Sequence, residues 1–67
     1  MIKTKVGKRI KELRNKLGIS QEELAFRSEI HRTYIASLEV GKRNVSIETL
    51  EKVVNALEVS MSEFFKF

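Results

Sequence analysis

The stretch LGISQEEL (residues 17–24) closes one helix and opens the next within a few residues, and this limits what the chain can build. A glycine directly after an apolar run of helical period is a left-handed stop. Ser20 followed three residues later by Glu23 is a capping box: the serine oxygen accepts from the Glu23 amide, and the glutamate reaches back to the Ser20 amide. Upstream, Val6, Ile10, Leu13 and Leu17 recur at i, i+4, i+7 and i+11, which predicts a first helix ending at Gly18. Downstream, a second helix buries Leu24 and Ala25 and cannot run far beyond Arg27, because Ser28, Glu29 and Ile30 make a turn. A third runs from about Arg32 to Val40 and is closed by Gly41. Ser46 is placed to cap a fourth helix with Ile47, Leu50, Val53, Val54 and Leu57 at helical spacing. Ser60 and Glu63 repeat the capping box ahead of a short fifth helix carrying Met61, Phe64 and Phe65. Nothing alternates with period two over a useful length, so the expected fold is all-α, a compact five-helix domain.

Length and composition narrow the class. The 67 residues contain no proline, repeat or linker-like stretch, so one domain is expected over residues 1–67. A chain of this size buries only about 60% of the surface its unfolded form exposes, and a second copy would help stabilise it. Apolar residues at 42% against 33% charged argue for a folded chain, not a disordered one. No apolar run approaches the roughly 18 residues that span a bilayer. The basic N-terminus is not followed by an apolar segment, so it does not read as a secretory signal. With no cysteine, a cytoplasmic setting fits. The absence of Cys and Asp, the single His and the lack of a glycine-rich phosphate loop or paired metal ligands argue against an enzyme, a metal site and a cofactor. No small-molecule ligand is expected.

The distribution of charge says more than its total of +4. Residues 1–44 carry eleven Lys/Arg and five Glu, a net of +6; residues 45–67 carry two Lys and four Glu, a net of −2. A polyanion therefore meets the first two-thirds of the chain, unless the basic face is simply solvated.

Residues 21–40 decide between these readings. Two short helices joined by about four residues must cross steeply, with a small residue where they touch, and Ala25 supplies it. Ile35 and Leu38 hold the second helix against the first. That is a helix-turn-helix of helices two and three, whose second helix leaves an outer side free to enter a major groove. The outer side carries Thr33, Ala36, Ser37 and Val40, short side chains that let the backbone approach base edges. Arg32, at the N-terminal end, suits the O6 and N7 acceptors of guanine.

At this point the chain resembles the phage-repressor or Xre-type helix-turn-helix family. The resemblance runs from IKELRNKLGISQEELA through ALEVSMSEFF, and HRTYIASLEVGKRNVS is most similar to the controller proteins of restriction–modification systems. It implies that Arg32, Thr33 and Ser37 face base edges, that Gln21 touches a phosphate, and that Tyr34, Arg43 and Asn44 hold the sugar-phosphate backbone. Arg43 and Asn44 could also reach a base. Read from spacing alone, Tyr34 is equally a core-edge residue four before Leu38, and Arg43 and Asn44 are equally loop chemistry. The family also pairs the positions of Arg14 and Glu39 as a structural ion pair. One departure stands out: the turn position held by glycine in many members is Glu29 here, which costs roughly 1 kcal/mol if a left-handed conformation is kept. His31 reads as a weak cap of helix three, with no second metal ligand near it in sequence.

Phe64, Phe65 and Phe67 read first as core and second as a dimer surface, since three aromatics exceed what one short helix needs to bury. The expected function is a homodimeric, sequence-specific transcriptional regulator bound to double-stranded DNA at a palindromic operator, as repressor or activator according to where that operator lies. Its rival is an antitoxin-type helix-turn-helix protein that binds a protein partner as well as DNA. An antitoxin usually needs an added arm or helix, and none is visible in the sequence.

Overall fold

Three of the helices end in the same way, and those endings set the chain's path. In the computed structural model, which describes residues 1–67, the helices are α1 (Ile2–Leu17), α2 (Gln21–Ser28), α3 (Arg32–Glu39), α4 (Ile47–Ala56) and α5 (Met61–Phe64), with no strand. The five expected helices are all present, with α3 ending one residue earlier than the sequence suggested. Gly18 is left-handed at φ 77°, and the amides of Gly18 and Ile19 bond back to the carbonyls of Asn15 and Arg14. Glu29 makes the same cap after α2 at φ 59°, with its own amide on Phe26 and that of Ile30 on Ala25. After α3, Gly41 at φ 76° donates to Leu38 and Lys42 donates to Ser37. In each case two carbonyls that the helix leaves unpaired find donors just past its end. The left-handed turn is thus retained at Glu29 without glycine, at roughly 1 kcal/mol of backbone cost.

The serine caps form as expected on one side only. The Ser20, Ser46 and Ser60 hydroxyls accept from the amides of Glu23, Thr49 and Glu63. The returning half of the Ser20 box is missing: the Glu23 carboxylate accepts from Arg27 Nε at 2.8 Å, one turn further along α2. A charge-assisted bond to guanidinium replaces one to a neutral amide, the stronger of the two choices.

All five helices contribute to one core. Ile10, Leu24, Ile35, Leu38, Val53, Val54 and Phe64 are essentially out of solvent. Two expectations are corrected. Ile47 is 78% exposed, because as the first residue of α4 it points away from the stripe formed by Leu50, Val53 and Val54. Phe64 is fully buried in its own protomer and offers no dimer surface, while Phe65 at 45% and Phe67 at 55% exposure remain open. Both rings meet the Phe64 ring edge-on, at centroid distances of 5.1 and 6.5 Å.

Contacts made by α1 place the other elements. A Cβ on Gly7 would lie 2.2 Å from the Leu38 carbonyl oxygen and 2.9 Å from that of Glu39, so α1 and α3 touch backbone to backbone. Arg9 is buried and donates from Nε to the Phe64 carbonyl at 2.8 Å and from Nη2 to that of Glu63 at 2.7 Å, tying α1 to the end of α5. Its Nη1 donates to Glu12, and this bond holds the Glu12 carboxyl below its usual range. The stabilisation from that lowered value is present at neutral pH and is lost as pH falls through it.

Arg14 and Glu39 form a two-pronged pair, Nε to Oε2 at 2.7 Å and Nη2 to Oε1 at 3.0 Å, with side chains only 11% and 3% exposed. Glu39 raises the Arg14 pKa further through the hydrogen bond, so the guanidinium stays charged. Nη1 of the same guanidinium donates to the Ile19 carbonyl at 2.9 Å.

Two outcomes follow from this framework. Gly7→Ala is expected to lose about 1–3 kcal/mol in urea unfolding through overpacking, although alanine is the better helix former by about 1 kcal/mol. A net gain would mean that α3 can step away from α1 freely. Arg14→Met is expected to lose about 3–5 kcal/mol in the same assay, because it leaves the Glu39 carboxylate buried without its cation. A transition midpoint equal to the wild type's would mean that the pair carries no weight.

Candidate nucleic-acid interface

The outer side of α3 is where the expected contact residues converge. Ala25 is buried in α2, which packs against α3, and Ile35 and Leu38 hold the inner side of α3 in the core. Arg32 and Thr33 are exposed at the start of the helix, and Ala36 and Ser37 are half-buried a turn later. No side chain caps α3 at His31, so its first amides are left without a side-chain partner. The steric logic read from the sequence therefore has a surface to act on: a helix flank of short side chains with a guanidinium at its N-terminal end.

Arg32 does not stand alone. Its Nη1 lies 3.7 Å from Glu22 Oε2 of α2, with both side chains largely in solvent. An exposed pair at that distance is worth little and is easily exchanged for another acceptor.

The second half of the site comes from the loop after α3. Gly41 turns the chain back, and a Cβ there would approach the Thr4 side chain and backbone at 3.0 and 3.1 Å. The turn brings Arg43 over the Tyr34 ring, with the guanidinium carbon 4.9 Å from the centroid. Arg43 Nε donates to Ser37 Oγ at 3.0 Å, and the Ser37 hydroxyl donates to the Tyr34 carbonyl at 2.8 Å. The Tyr34 hydroxyl donates to the Asn44 carbonyl at 3.4 Å. Tyr34 is half-buried against the core, so it is both a core-edge residue and the platform for Arg43. Tyr34, Ser37, Arg43 and Asn44 thus form one cluster, which spacing alone does not reveal.

Gln21 is turned inward. Its side-chain amide donates to Glu39 Oε1 at 3.1 Å, which joins the start of α2 to the Arg14–Glu39 pair. Of the expected contact residues it is the one whose side chain is engaged away from the outer side of α3. Glu22, Arg9 and Gly7 were missed in the sequence. Glu22 was one acid among several in a helix start, and the partners of Arg9 and Gly7 lie far along the chain. No group of three or more His, Asp or Glu side chains is gathered to hold a metal ion, and no helix is long and apolar enough to cross a membrane.

Comparison with known proteins agrees with this geometry. A family model described as helix-turn-helix matches residues 10–64. The control protein C.MunI of a Mycoplasma species is 45% identical over 65 residues, covering 96% of this chain and 88% of its own. The control protein C.BamHI of Bacillus amyloliquefaciens is 42% identical over 62 residues, covering 91% and 76%. Among solved structures, the restriction–modification controller C.AhdI from Aeromonas hydrophila matches with a TM-score of 0.90 at 43% identity, over 94% of this chain and 91% of that one. The C.Esp1396I tetramer in complex with its natural 35 base-pair operator matches at 0.94 and 41%, over 98% and 87%. With its short-chain outer face on α3, the packing of α3 against α2 and a family match across most of its length, the chain belongs to the helix-turn-helix family.

Proposed function

We propose that this protein is a sequence-specific DNA-binding transcriptional regulator of the restriction–modification controller type, acting as a homodimer on a palindromic operator. The observation that carries the reading is the outer side of α3, where short side chains lie between the guanidinium of Arg32 at one end and that of Arg43 at the other. Short side chains allow the helix into the major groove, and the two cations answer the polyanion and its guanine acceptors. The relatives include the controller C.Esp1396I, solved on a 25 base-pair operator site and as a tetramer on its natural 35 base-pair operator. Regulation by occupying an operator needs binding and release of DNA, not chemistry on it, so the role is non-enzymatic and belongs where a bacterium or phage keeps its DNA, in the cytoplasm.

Residues 1–67 would act as one DNA-binding domain, with the helix-turn-helix unit at about residues 21–40. Arg32 and Thr33 are assigned to base edges, Tyr34, Arg43 and Asn44 to the sugar-phosphate backbone, and Gln21 to a phosphate through the part of its amide not engaged by Glu39. The face around Phe65 and Phe67 is assigned to the second protomer, which sets two recognition helices about 34 Å apart for successive major grooves.

Two experiments test this. Selection of bound sequences from a random duplex pool is expected to return a twofold-symmetric site. On it, Arg32→Ala is expected to lose about 1–3 kcal/mol and to relax preference at one position in each half-site, with thermal stability little changed. Equal losses on selected and random duplexes would remove Arg32 from the base-reading set. For the dimer, Phe65→Ser is expected to shift sedimentation toward monomer across a dilution series, because each change acts twice in a twofold interface. A wild type that stays monomeric at tens of micromolar, yet binds a single half-site tightly, would defeat the homodimer.

A further inference from the structure

We infer that Ser37 does not read a base but acts as a positioning residue, holding the guanidinium of Arg43 on the outer side of α3. The inference rests on the DNA-binding reading above and gives one of its residues a different role. A serine hydroxyl has one proton and two lone pairs. Here the proton is spent on the Tyr34 carbonyl at 2.8 Å, and a lone pair accepts from Arg43 Nε at 3.0 Å. A hydroxyl committed in this way has no proton for the N7 and O6 acceptors of a purine. Donating to the carbonyl also polarises the oxygen and makes it a better acceptor for the cation.

Arg43 gains what Ser37 gives up. Its guanidinium is held from two directions, by the Ser37 oxygen at Nε and by the Tyr34 ring beneath it at 4.9 Å. The four N–H groups on Nη1 and Nη2 have no partner in the protein, so the fork that suits phosphate or a guanine edge is left open. Beyond Arg32, α3 has no basic residue of its own, and its last turn carries none. The loop therefore supplies the second cation of the recognition surface, and α3 supplies its seat. The Ser37 carbonyl contributes as well, by accepting the Lys42 amide at 3.0 Å in the turn that brings Arg43 back. A long side chain ordered before DNA arrives loses less freedom on binding, which is where the affinity comes from.

The test is a double-mutant cycle on the full chain, using a duplex selected by the wild type and a scrambled duplex of equal length. Ser37→Ala is expected to weaken binding to the selected duplex by roughly three- to tenfold, the scale of the net contribution of one exposed hydrogen bond. In an Arg43→Ala background the same change is expected to do nothing. Ser37→Thr, which keeps the hydroxyl, should restore most of the affinity, whereas Ser37→Val, of the same shape without it, should not. Urea unfolding of each variant separates loss of fold from loss of binding. Additive losses, or relaxed preference at a base position that Arg43→Ala leaves strict, would overturn the inference and return Ser37 to direct readout. Failure of the wild type to prefer any selected duplex would overturn the DNA-binding reading instead.

Discussion

The orientation of α3 depends first on one buried carboxylate. Glu39, the last residue of that helix, receives Arg14 from α1 in two hydrogen bonds and the Gln21 amide from α2 in a third. Arg14 also donates to the Ile19 carbonyl, so the α1–α2 connection is held by the same guanidinium. One cluster thereby joins the second half of α1, the loop after it, the start of α2 and the end of α3. With its side chains nearly dry, the pair has no water to fall back on if either member is lost. About two turns nearer the start of α1, Gly7 lets the helix backbone rest against the carbonyls of Leu38 and Glu39. The C-terminal end of α3 is thus fixed by a charge contact and a steric one, both from α1.

Fixing that end leaves the outer side and the first turn of α3 for another molecule. The two sides of the helix divide cleanly: Ile35 and Leu38 are sealed in the core, while Arg32 and Thr33 face solvent. The loop beyond Gly41 then folds back over this surface and does not leave the protein, so a residue outside the helix becomes part of its face. At the other end of the molecule, Arg9 holds the carbonyls that end α5, which keeps Phe64 in the core with Phe65 and Phe67 packed on its ring edges. The same guanidinium type does two kinds of structural work, closing a helix end in one place and pairing a buried acid in the other.

Much of the secondary structure was legible because its causes are local. Gly18, Ser20, Ser46, Ser60 and Gly41 act within four residues of themselves, through caps whose donors and acceptors lie next along the chain. The exposed Ile47 shows where periodicity overreaches: it continues the apolar spacing into the first turn of α4, where no neighbouring element covers it. The aromatic trio shows the converse. Three phenylalanines close together in sequence look alike, and only the packing of α5 against α4, with Arg9 of α1 on its carbonyls, sends Phe64 inside and leaves the others partly out.

By itself the sequence determined five short helices, the burial of Ala25 between α2 and its neighbours and a third helix with a short-chain outer flank, because propensity, capping and spacing act over a few residues. The tertiary structure alone decided that Arg9, among the many cations in α1, is the one that closes α5, and why a glycine is needed inside that helix. It also decided that Ser37 faces Arg43. Each of these depends on a partner brought close only when the chain packs, in the case of Arg9 and Phe64 across 55 positions of sequence. A hydrogen bond or a steric limit has a range of a few ångströms, so it leaves no mark on the residues next to it in the chain.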